Sequence, residues 1–367
     1  MKFTAEKTLL LDAVNIASKA VPSKTTSNIL KCLLLDASSE KIRIIGNDNE
    51  LGIETVVPGE IAEHGMIAVS ADVFSNIVRK LPDGIVIIEA SGEKISIQCE
   101  RVHFNILGTD GEEFAFLPEV SREYGIELSQ FTLKELITKT IFSISTNQSN
   151  VLMTGELFEV KENMLRVSSL DGHRISRRQV ELKRSYDDLS AVIPGKTLSE
   201  ISKIIGSDME KSAFIYFTER HVLFEFDDTI VVSRLIEGKY FDVDSMLSDE
   251  FKIRVRVHRQ DFLSCLERSM LMIREEDKKP VIFNIHDHDM EIRIRSAMGS
   301  FNESIEVEKE GDDLTIGFNP RFMSDALKAI DDDEVVIYLQ TQRYPAFIRD
   351  ENTYCYLVLP INFISMD

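Results

Sequence analysis

Polar and apolar positions recur along the chain in one fixed order, with a period of about 120–125 residues. Each repeat starts with an amphipathic stretch and a pair of alternating segments, and then shows a second amphipathic stretch and a second alternating pair. Apolar residues at i, i+3 and i+4 predict a helix, whereas strict alternation predicts a strand. The order therefore predicts a module that reads β-α-β-β-β twice over, present in three copies.

Six amphipathic helices are predicted, two in each copy. The second helix is the clearest, because residues 69–81, 193–205 and 318–330 share a polar entry and an apolar stripe. The first helix is predicted over 5–20, with counterparts at 131–144 and 259–272. In its first copy we expect one face to carry Leu9, Ala13, Ile16 and Ala17.

Paired strands follow each predicted helix, and their short connections make them antiparallel. The predicted pairs are 41–45 with 51–57, a hairpin over 85–98, 164–168 with 174–180, 213–217 with 222–226, 290–295 with 303–307, and 335–339 with 346–348. Turn-forming and acidic residues interrupt the periodic pattern near 118–125 and 247–250. These breaks predict three domains at 1–121, 122–248 and 249–367.

The expected fold class is α+β, because striped helices must bury their apolar face on the antiparallel sheets. Three modules with the same curvature form an arc, and an arc with matching ends tends to close through two-fold symmetry. We therefore expect a dimer of two such arcs.

Composition restricts how such a protein meets its partners. The formal charge of −20 argues against a protein that binds nucleic acid through many phosphate contacts. Any contact with DNA therefore requires a locally basic face or a topological link to the DNA. No stretch approaches the roughly 18 apolar residues of a membrane helix, and the four cysteines lie far apart. We expect a soluble cytoplasmic protein with reduced cysteines and no membrane partner.

Candidate chemistry is sparse. The sequence lacks a phosphate-binding GxxxxGK[ST], a GxGxxG, a nucleophile elbow and an HExxH motif. Residues 286–289, His-Asp-His-Asp, could bind a metal but fit a turn between strands better. Asp171 and His173 could form an acid–base pair, although Gly172 favours a turn there too. We expect no catalytic residue, no metal and no cofactor.

Several motifs in order resemble the bacterial sliding-clamp family, the β subunits of DNA polymerase III. The resemblance spans the whole chain, from Met-Lys-Phe-Thr at 1–4 through Leu-Asp-Gly-His-Arg at 170–174 and Ile-Gly-Phe-Asn at 316–319 to Tyr-Leu-Val-Leu-Pro at 356–360. It implies two protomers joined head to tail into a ring around duplex DNA, with the antiparallel sheets on the outside and the helices on the inside. Such a ring is a processivity factor rather than an enzyme. Residues expected to face the DNA are Lys24, Arg79, Asn147 and Lys196.

The resemblance also implies a pocket that receives short linear motifs from the polymerase, the clamp loader and repair proteins. By position its residues are Met153, Leu170, Gly172, His173, Arg174, Ile175, Phe241, Met246, Asn319, Phe322, Pro345, Leu357, Val358, Leu359 and Pro360. Aliphatic side chains would supply the anchor hole and backbone groups would orient the peptide. Ordinary burial in the strand core is the alternative for many of them.

For the ring seam the resemblance implies Phe104 and Ile106 of one protomer against Leu271 and Met272 of the other. The chain departs from the family in Leu152, where a tyrosine is frequent, in Phe241, where a proline is common, and in a longer ending at 361–367. Two alternatives stay open: a protein-binding scaffold that never encircles DNA, and a hydrolase that uses Asp171 and His173.

Overall fold

The structure, a computed structural model, describes residues 1–123, 125–247, 250–274, 279–350 and 352–363. The first repeat contains β1 (Lys2–Glu6), α1 (Lys7–Ala17), β2 (Cys32–Asp36), β3 (Ile42–Asn47), β4 (Leu51–Val57), β5 (Gly59–Glu63), β6 (Met66–Ser70), α2 (Ala71–Lys80), β7 (Ile85–Ser91), β8 (Lys94–Cys99), β9 (Val102–Leu107) and β10 (Thr109–Asp110).

The second repeat contains β11 (Gly125–Ser129), α3 (Gln130–Thr138), β12 (Gly155–Leu170), β13 (Arg174–Pro194), α4 (Gly195–Ile204), β14 (Ser212–Phe217), β15 (His221–Phe226), β16 (Thr229–Arg234) and α5 (Val243–Met246). The third contains β17 (Ile253–His258), α6 (Arg259–Met270), β18 (Val281–Ile285), β19 (Asp289–Ser296), β20 (Gly299–Glu310), β21 (Leu314–Phe318), α7 (Pro320–Lys328), β22 (Glu334–Leu339), β23 (Ala346–Arg349) and β24 (Tyr354–Val358).

The predicted α+β class and the β-α-β-β-β order are confirmed, and all six predicted hairpins form as antiparallel pairs. The third repeat shows the order twice without interruption. In the second repeat, β12 and β13 are long strands that run through bulges, so that what was predicted as separate strands is continuous. The short helix α5 and the strands β5 and β10 were not predicted.

The six predicted helices are present but shorter than expected. Residues 5–6 belong to β1 and not to α1, and α3 ends at Thr138 and not near 144. The predicted face of α1 was wrong in two places, because Leu9 is exposed and Ile16 is only half-buried. The buried face carries Leu10, Ala13, Val14 and Ala17. No helix in the described ranges is long and apolar enough to cross a membrane.

By packing, the chain divides into two units that each combine two stretches of sequence. The first unit holds 1–134 and 200–235, and the second holds 135–199 and 236–367. The first contains a five-stranded sheet, β5-β1-β7-β8-β9, and a nine-stranded sheet, β10-β6-β2-β3-β4-β16-β15-β14-β11. The second contains a ten-stranded sheet, β12-β13-β24-β23-β22-β17-β20-β19-β18-β21. The division into domains at 1–121, 122–248 and 249–367 stays a prediction, and its second limit, between 248 and 249, lies outside the described residues.

Each unit has a core in which helices pack on sheets. In the first unit Leu10 of α1 and Phe74 of α2 are fully buried with strand residues such as Ile88. In the second, Phe262 of α6 and Leu327 of α7 occupy the same kind of place. A separate apolar cluster of the second unit, called here the floor cluster, lies elsewhere on the sheet and consists of Leu157, Leu170, Ile175, Val192, Tyr240, Val243, Phe347 and Leu357.

One buried acid stands out in the second unit. Glu156 on β12 is fully buried, and its Oε1 atom accepts a hydrogen bond from the Thr140 hydroxyl at 3.0 Å. Its other carboxyl oxygen has no hydrogen-bond partner among the described residues. Burial raises the pKa of Glu156 well above its usual value, against the lowering effect of the Thr140 hydrogen bond.

Candidate functional site

The turn between β12 and β13 organises the surroundings of the predicted pocket. Gly172 has a φ of +87°, a conformation that a residue with a side chain rarely adopts. The Oδ1 atom of Asp171 accepts hydrogen bonds from the backbone N–H groups of His173 at 2.9 Å and of Arg174 at 3.1 Å. The turn interpretation of these residues is therefore confirmed.

Arg174 is held on three sides. Its Nε donates to Asp171 at 3.0 Å, its Nη1 donates to Asp325 at 2.6 Å, and its Nη2 donates to the backbone oxygen of Phe142. The guanidinium also lies over the Phe322 ring, 4.4 Å from its centroid. These contacts fix β13 to α7 and give Arg174 a single orientation.

The hydrolase alternative does not fit this arrangement. A general base of the proposed kind needs its imidazole oriented by the neighbouring carboxylate. The Asp171 carboxylate is instead taken up by two backbone N–H groups and by Arg174. The His173 ring stacks on Phe322, with centroids 6.2 Å apart.

The His-Asp-His-Asp loop at 286–289 is an ion-paired turn. His286 Nδ1 lies 2.8 Å from Asp313, and the Lys309 ammonium lies 3.1 Å from Asp287 and 2.5 Å from Asp313. The hydrogen bond to Asp313 raises the pKa of His286 above its usual value. A lysine thus occupies the carboxylates that a metal would need, and the described residues contain no cluster of three or more ligands suited to a metal ion.

The apolar residues predicted for the pocket fall into two groups on opposite faces of β13 and β24. Leu170, Ile175 and Leu357 are paired side by side across three strands and belong to the floor cluster. Met153 and Phe241 are half-buried and pack against the same cluster. These five residues form one continuous apolar floor.

The second group lies on the other face, because consecutive residues of a strand point to opposite sides. Val358 is buried in the large core of the second unit, and Phe322 is half-buried against that core. His173 and Arg174 stack on Phe322. Of this group only His173 is exposed, and Val358, 2% exposed, is a core residue.

The two groups meet where the chain leaves β24. The backbone N–H of Leu359 donates to the backbone oxygen of His173 at 2.8 Å, which ties the strand end to the turn. Leu359 is 38% exposed and Met246 of α5 is 41% exposed, so both offer apolar surface to a ligand. Asn319, Pro345 and Pro360 are half-buried, and Asn319 also caps α7 by accepting from Arg321 N at 3.0 Å.

The residues predicted for the seam lie on an edge strand, β9, and at the end of the helix α6. In the described chain β9 pairs only with β8, and it carries the half-buried Ile106 and the exposed Phe104. In the second unit, residues 299–306 of β20 pair with β19, and residues 307–310 pair with β17. Leu271 at the end of α6 is 68% exposed, and Met272 Sδ lies 3.8 Å from the point where a Cβ would stand on Gly299.

The four residues predicted to face DNA are all exposed. Lys24 lies in the loop after α1, and Arg79 lies in the last turn of α2. Asn147 is in a turn in which its side-chain oxygen accepts from Ser149 N at 2.9 Å. Lys196 begins α4. Two of them belong to each packing unit.

Comparison with known proteins agrees along the whole length. The description "DNA polymerase III beta subunit" matches in three parts: the N-terminal domain at residues 1–118, the central domain at 127–242 and the C-terminal domain at 244–362. The "Beta sliding clamp" of Bacillus subtilis (strain 168) is 33% identical, over 98% of this chain and 99% of its own. The chain belongs to the beta sliding clamp family.

Solved sliding-clamp structures share the fold. A DNA polymerase III beta subunit from Eubacterium rectale ATCC 33656 is 53% identical, with a TM-score of 0.96 and 99% of each chain covered. The sliding clamp of Bacillus subtilis is 32% identical, with a TM-score of 0.94, and the match covers 99% of this chain and 100% of that one. The resemblance inferred from the motifs is thus confirmed.

In this sliding clamp, the positions that differ from the usual family sequence lie near the predicted pocket. Leu152 and Phe241 both pack against the floor cluster. The start of the longer ending runs beside β21, because Ile361 N donates to Gly317 O at 2.8 Å. Residues 364–367 of that ending lie outside the described residues.

Sequence reasoning missed several side chains that shape this sliding-clamp site. Tyr240 and Val243 complete the floor cluster, and Asp325 orients Arg174 from 151 residues away. The only local signal was the neighbourhood of Asp171 and Arg174 in the sequence. Nothing in the pattern around α7 marked Asp325 as a partner of that turn.

Proposed function

We propose that this chain closes with a second copy, head to tail, into a ring that encircles duplex DNA. The ring tethers the replicative polymerase, the clamp loader and repair proteins through the apolar floor and through its rim, which consists of the exposed Met246 and Leu359. In this role it acts as a processivity factor in the cytoplasm, without catalysis and without a cofactor. Full-length membership of the beta sliding clamp family carries the proposal. The four free cysteines suit a reducing compartment.

The two strand edges described above support a head-to-tail seam. An exposed strand edge offers unpaired N–H and C=O groups that a second strand can complete. The edge of β9 lies in the first unit and the open part of β20 lies in the second. Pairing β9 of one copy with β20 of another would therefore join unlike ends, and a second identical contact would close the ring.

Apolar side chains beside each edge would strengthen the seam. Phe104 and Leu107 are exposed on β9, the latter by 72%, and Leu271 is exposed next to β20. Burial of such side chains contributes about 25 cal/mol for each Å² removed from water. The proposed contact therefore combines backbone pairing with apolar burial, as stable protein interfaces do.

Topological binding also agrees with the charge of the chain. A net charge of −20 repels DNA at long range, so that a protein of this composition gains little from simple phosphate contacts. A closed ring retains DNA without strong attraction. Lys24, Arg79, Asn147 and Lys196 are proposed to make the few weak contacts that let the duplex slide.

Sedimentation of the full chain tests the seam. Leu271→Ala with Met272→Ala should shift the dimer toward monomer, and Met209→Ala is a matched control because Met209 is 67% exposed and far in sequence from both edges. A dimer that survives the double substitution, or one that Met209→Ala breaks as readily, would show that the seam lies elsewhere.

Retention on DNA tests encirclement. After loading by the cognate clamp loader, the protein should stay on closed circular DNA and leave linear DNA through its ends. Equal and rapid loss from both forms would favour the alternative, a protein-binding scaffold that does not enclose DNA.

A further inference from the structure

The helix α5 carries Met246, one rim residue of the proposed pocket, yet it is a single turn. A helix of four residues has too few internal hydrogen bonds to be stable alone, so contacts with the rest of the unit must fix it. Asp242 caps it by accepting from Ser245 N at 3.2 Å. Val243, 2% exposed, anchors it in the floor cluster. Leu247, directly after the helix, also packs against this cluster, and Asp244 supplies a polar anchor.

Asp244 ties α5 to two arginines of the sheet. Its Oδ1 atom pairs with Nη1 of Arg177 on β13, and its Oδ2 atom lies 3.6 Å from Nη1 of Arg166 on β12. The Arg177 Nε donates to the Ser168 hydroxyl at 3.1 Å. The hydrogen bond from Arg177, opposed by desolvation, lowers the pKa of Asp244, which is therefore ionised at neutral pH.

The strand register places this ion pair directly beside the floor of the pocket. Arg177 is two residues beyond Ile175 on β13, so both side chains point to the same face. Leu170 pairs with Ile175 in one row, and Ser168 pairs with Arg177 in the next. Asp244 is therefore paired with a residue in the row next to the apolar floor. This pairing holds Met246, two residues further along α5, at the rim of the floor.

Loss of the Asp244 charge would leave Arg177 in an unfavourable state. Arg177 is 7% exposed, and its Nη2 has no hydrogen-bond partner among the described residues. Asp244 is the sole acidic group paired with Arg177 in the described part of the chain. A buried cation without a counter-charge is costly, and it is relieved when the guanidinium turns toward water. That movement would release α5.

We propose that Asp244 is a positioning residue of the peptide pocket: its ion pairs with Arg177 and Arg166 hold α5, and with it Met246, where a bound motif packs. The inference rests on the proposed function, because it presupposes that partner peptides occupy the floor and rim. It adds a residue that touches no ligand and acts through the helix it fixes.

Binding of a short peptide to the full-length protein tests the role. The probe is a fluorescein-labelled synthetic peptide that copies the clamp-binding motif of the replicative polymerase from the same genome, followed by anisotropy and by stopped-flow dissociation. Asp244→Asn should weaken binding about five- to tenfold, mainly through faster dissociation. Asp244→Glu, which keeps the charge, should restore affinity to within about twofold. Asp312→Asn is the matched control, because it removes one exposed carboxylate elsewhere in the unit.

Salt separates positioning from a general loss of structure. The Asp244 side chain is 53% exposed, so that about 1 M NaCl should screen its ion pairs and shrink the difference in affinity between wild type and Asp244→Asn. A variant that binds poorly because the whole unit is damaged would instead unfold at lower temperature and keep its deficit in high salt. That second pattern would overturn the positioning role.

The outcomes also distinguish this inference from the proposed pocket. If Met246→Ala weakens peptide binding while Asp244→Asn binds like wild type, the pocket stands and the role of Asp244 is refuted. If the peptide binds wild type and both Met246→Ala and Leu359→Ala with equal affinity, it does not use this surface, and the proposed pocket itself is refuted.

Discussion

Replacement of Glu156 by glutamine should remove the contribution of one buried carboxyl group to the pH dependence of stability. Glutamine has nearly the same shape, and its side-chain oxygen can accept the hydrogen bond that Thr140 donates to Glu156. It differs in having no proton to lose. The comparison of the two proteins therefore isolates the ionisation of one buried carboxyl group.

Proton linkage gives the sign and size of the effect. Burial raises the pKa of Glu156 well above its usual value of 4.5 in the folded state, so that between these two values the unfolded chain releases a proton that the folded chain keeps. In that window the wild-type free energy of unfolding falls by about 1.36 kcal/mol for each pH unit from this group alone. Below pH 4.5 the group contributes no slope, because both states are protonated.

Urea denaturation of both proteins at pH 5.5, 6.5 and 7.5 measures the slope. Other groups titrate equally in the two proteins, so that the advantage of Glu156→Gln should grow with pH, by about 1.36 kcal/mol for each unit as long as the pH stays below the folded pKa. Glu159→Gln is the control, since Glu159 is only half-buried on the same strand. A difference between wild type and Glu156→Gln that stays constant with pH would refute the assignment of a neutral buried acid.

Three further outcomes follow from the contacts described. Arg174→Ala should lower the free energy of unfolding by about 2–4 kcal/mol, measured by urea denaturation, because it leaves Asp171 and Asp325 without their partner. A loss below about 0.5 kcal/mol would contradict a stabilising role of these two ion pairs. Gly46→Ala should destabilise the protein much more than Gly92→Ala in thermal melts. A Cβ at position 46 would lie 2.2 Å from the backbone oxygen of Ala17, whereas a Cβ at position 92, where φ is +57°, would meet open space; equal midpoints would contradict this packing. Iodoacetamide should modify Cys355 before the buried Cys32, Cys99 and Cys265, as followed by mass spectrometry. Burial limits access to these three thiols, and it raises the pKa of Cys265 to about 12; equal labelling of all four would contradict their burial.

Periodicity predicted the elements of this fold better than their limits and faces. The α1 helix shows why, because Leu9, Leu10 and Leu11 are consecutive and fit two apolar stripes equally well. One stripe starts at Leu9 and the other at Leu10, and both follow helical spacing. Packing against the sheets decided for Leu10, which no local pattern could show.

The long-range contacts of the site could not be predicted from local pattern either. The family resemblance located Arg174, yet the two partners that orient it, Asp325 and the Phe142 carbonyl, lie 151 and 32 residues away. The ion pair that holds α5 is likewise specific to tertiary structure. Sequence spacing carries no information about which distant carboxylate meets which guanidinium.

The division of residues 125–235 between two sheets has a consequence for synthesis of the protein. The edge of β4 that does not pair with β3 pairs with β16. Across this pair the buried hydroxyls of Thr55 and Thr229 lie 3.0 Å apart, although the two residues are 174 positions apart in the chain. At about 5–20 residues per second, a ribosome needs on the order of ten to thirty seconds to deliver the second strand after the first. During that interval one edge of β4 is unpaired in the nascent chain. We therefore expect chaperones to bind this stretch, and overexpression to produce aggregates through it.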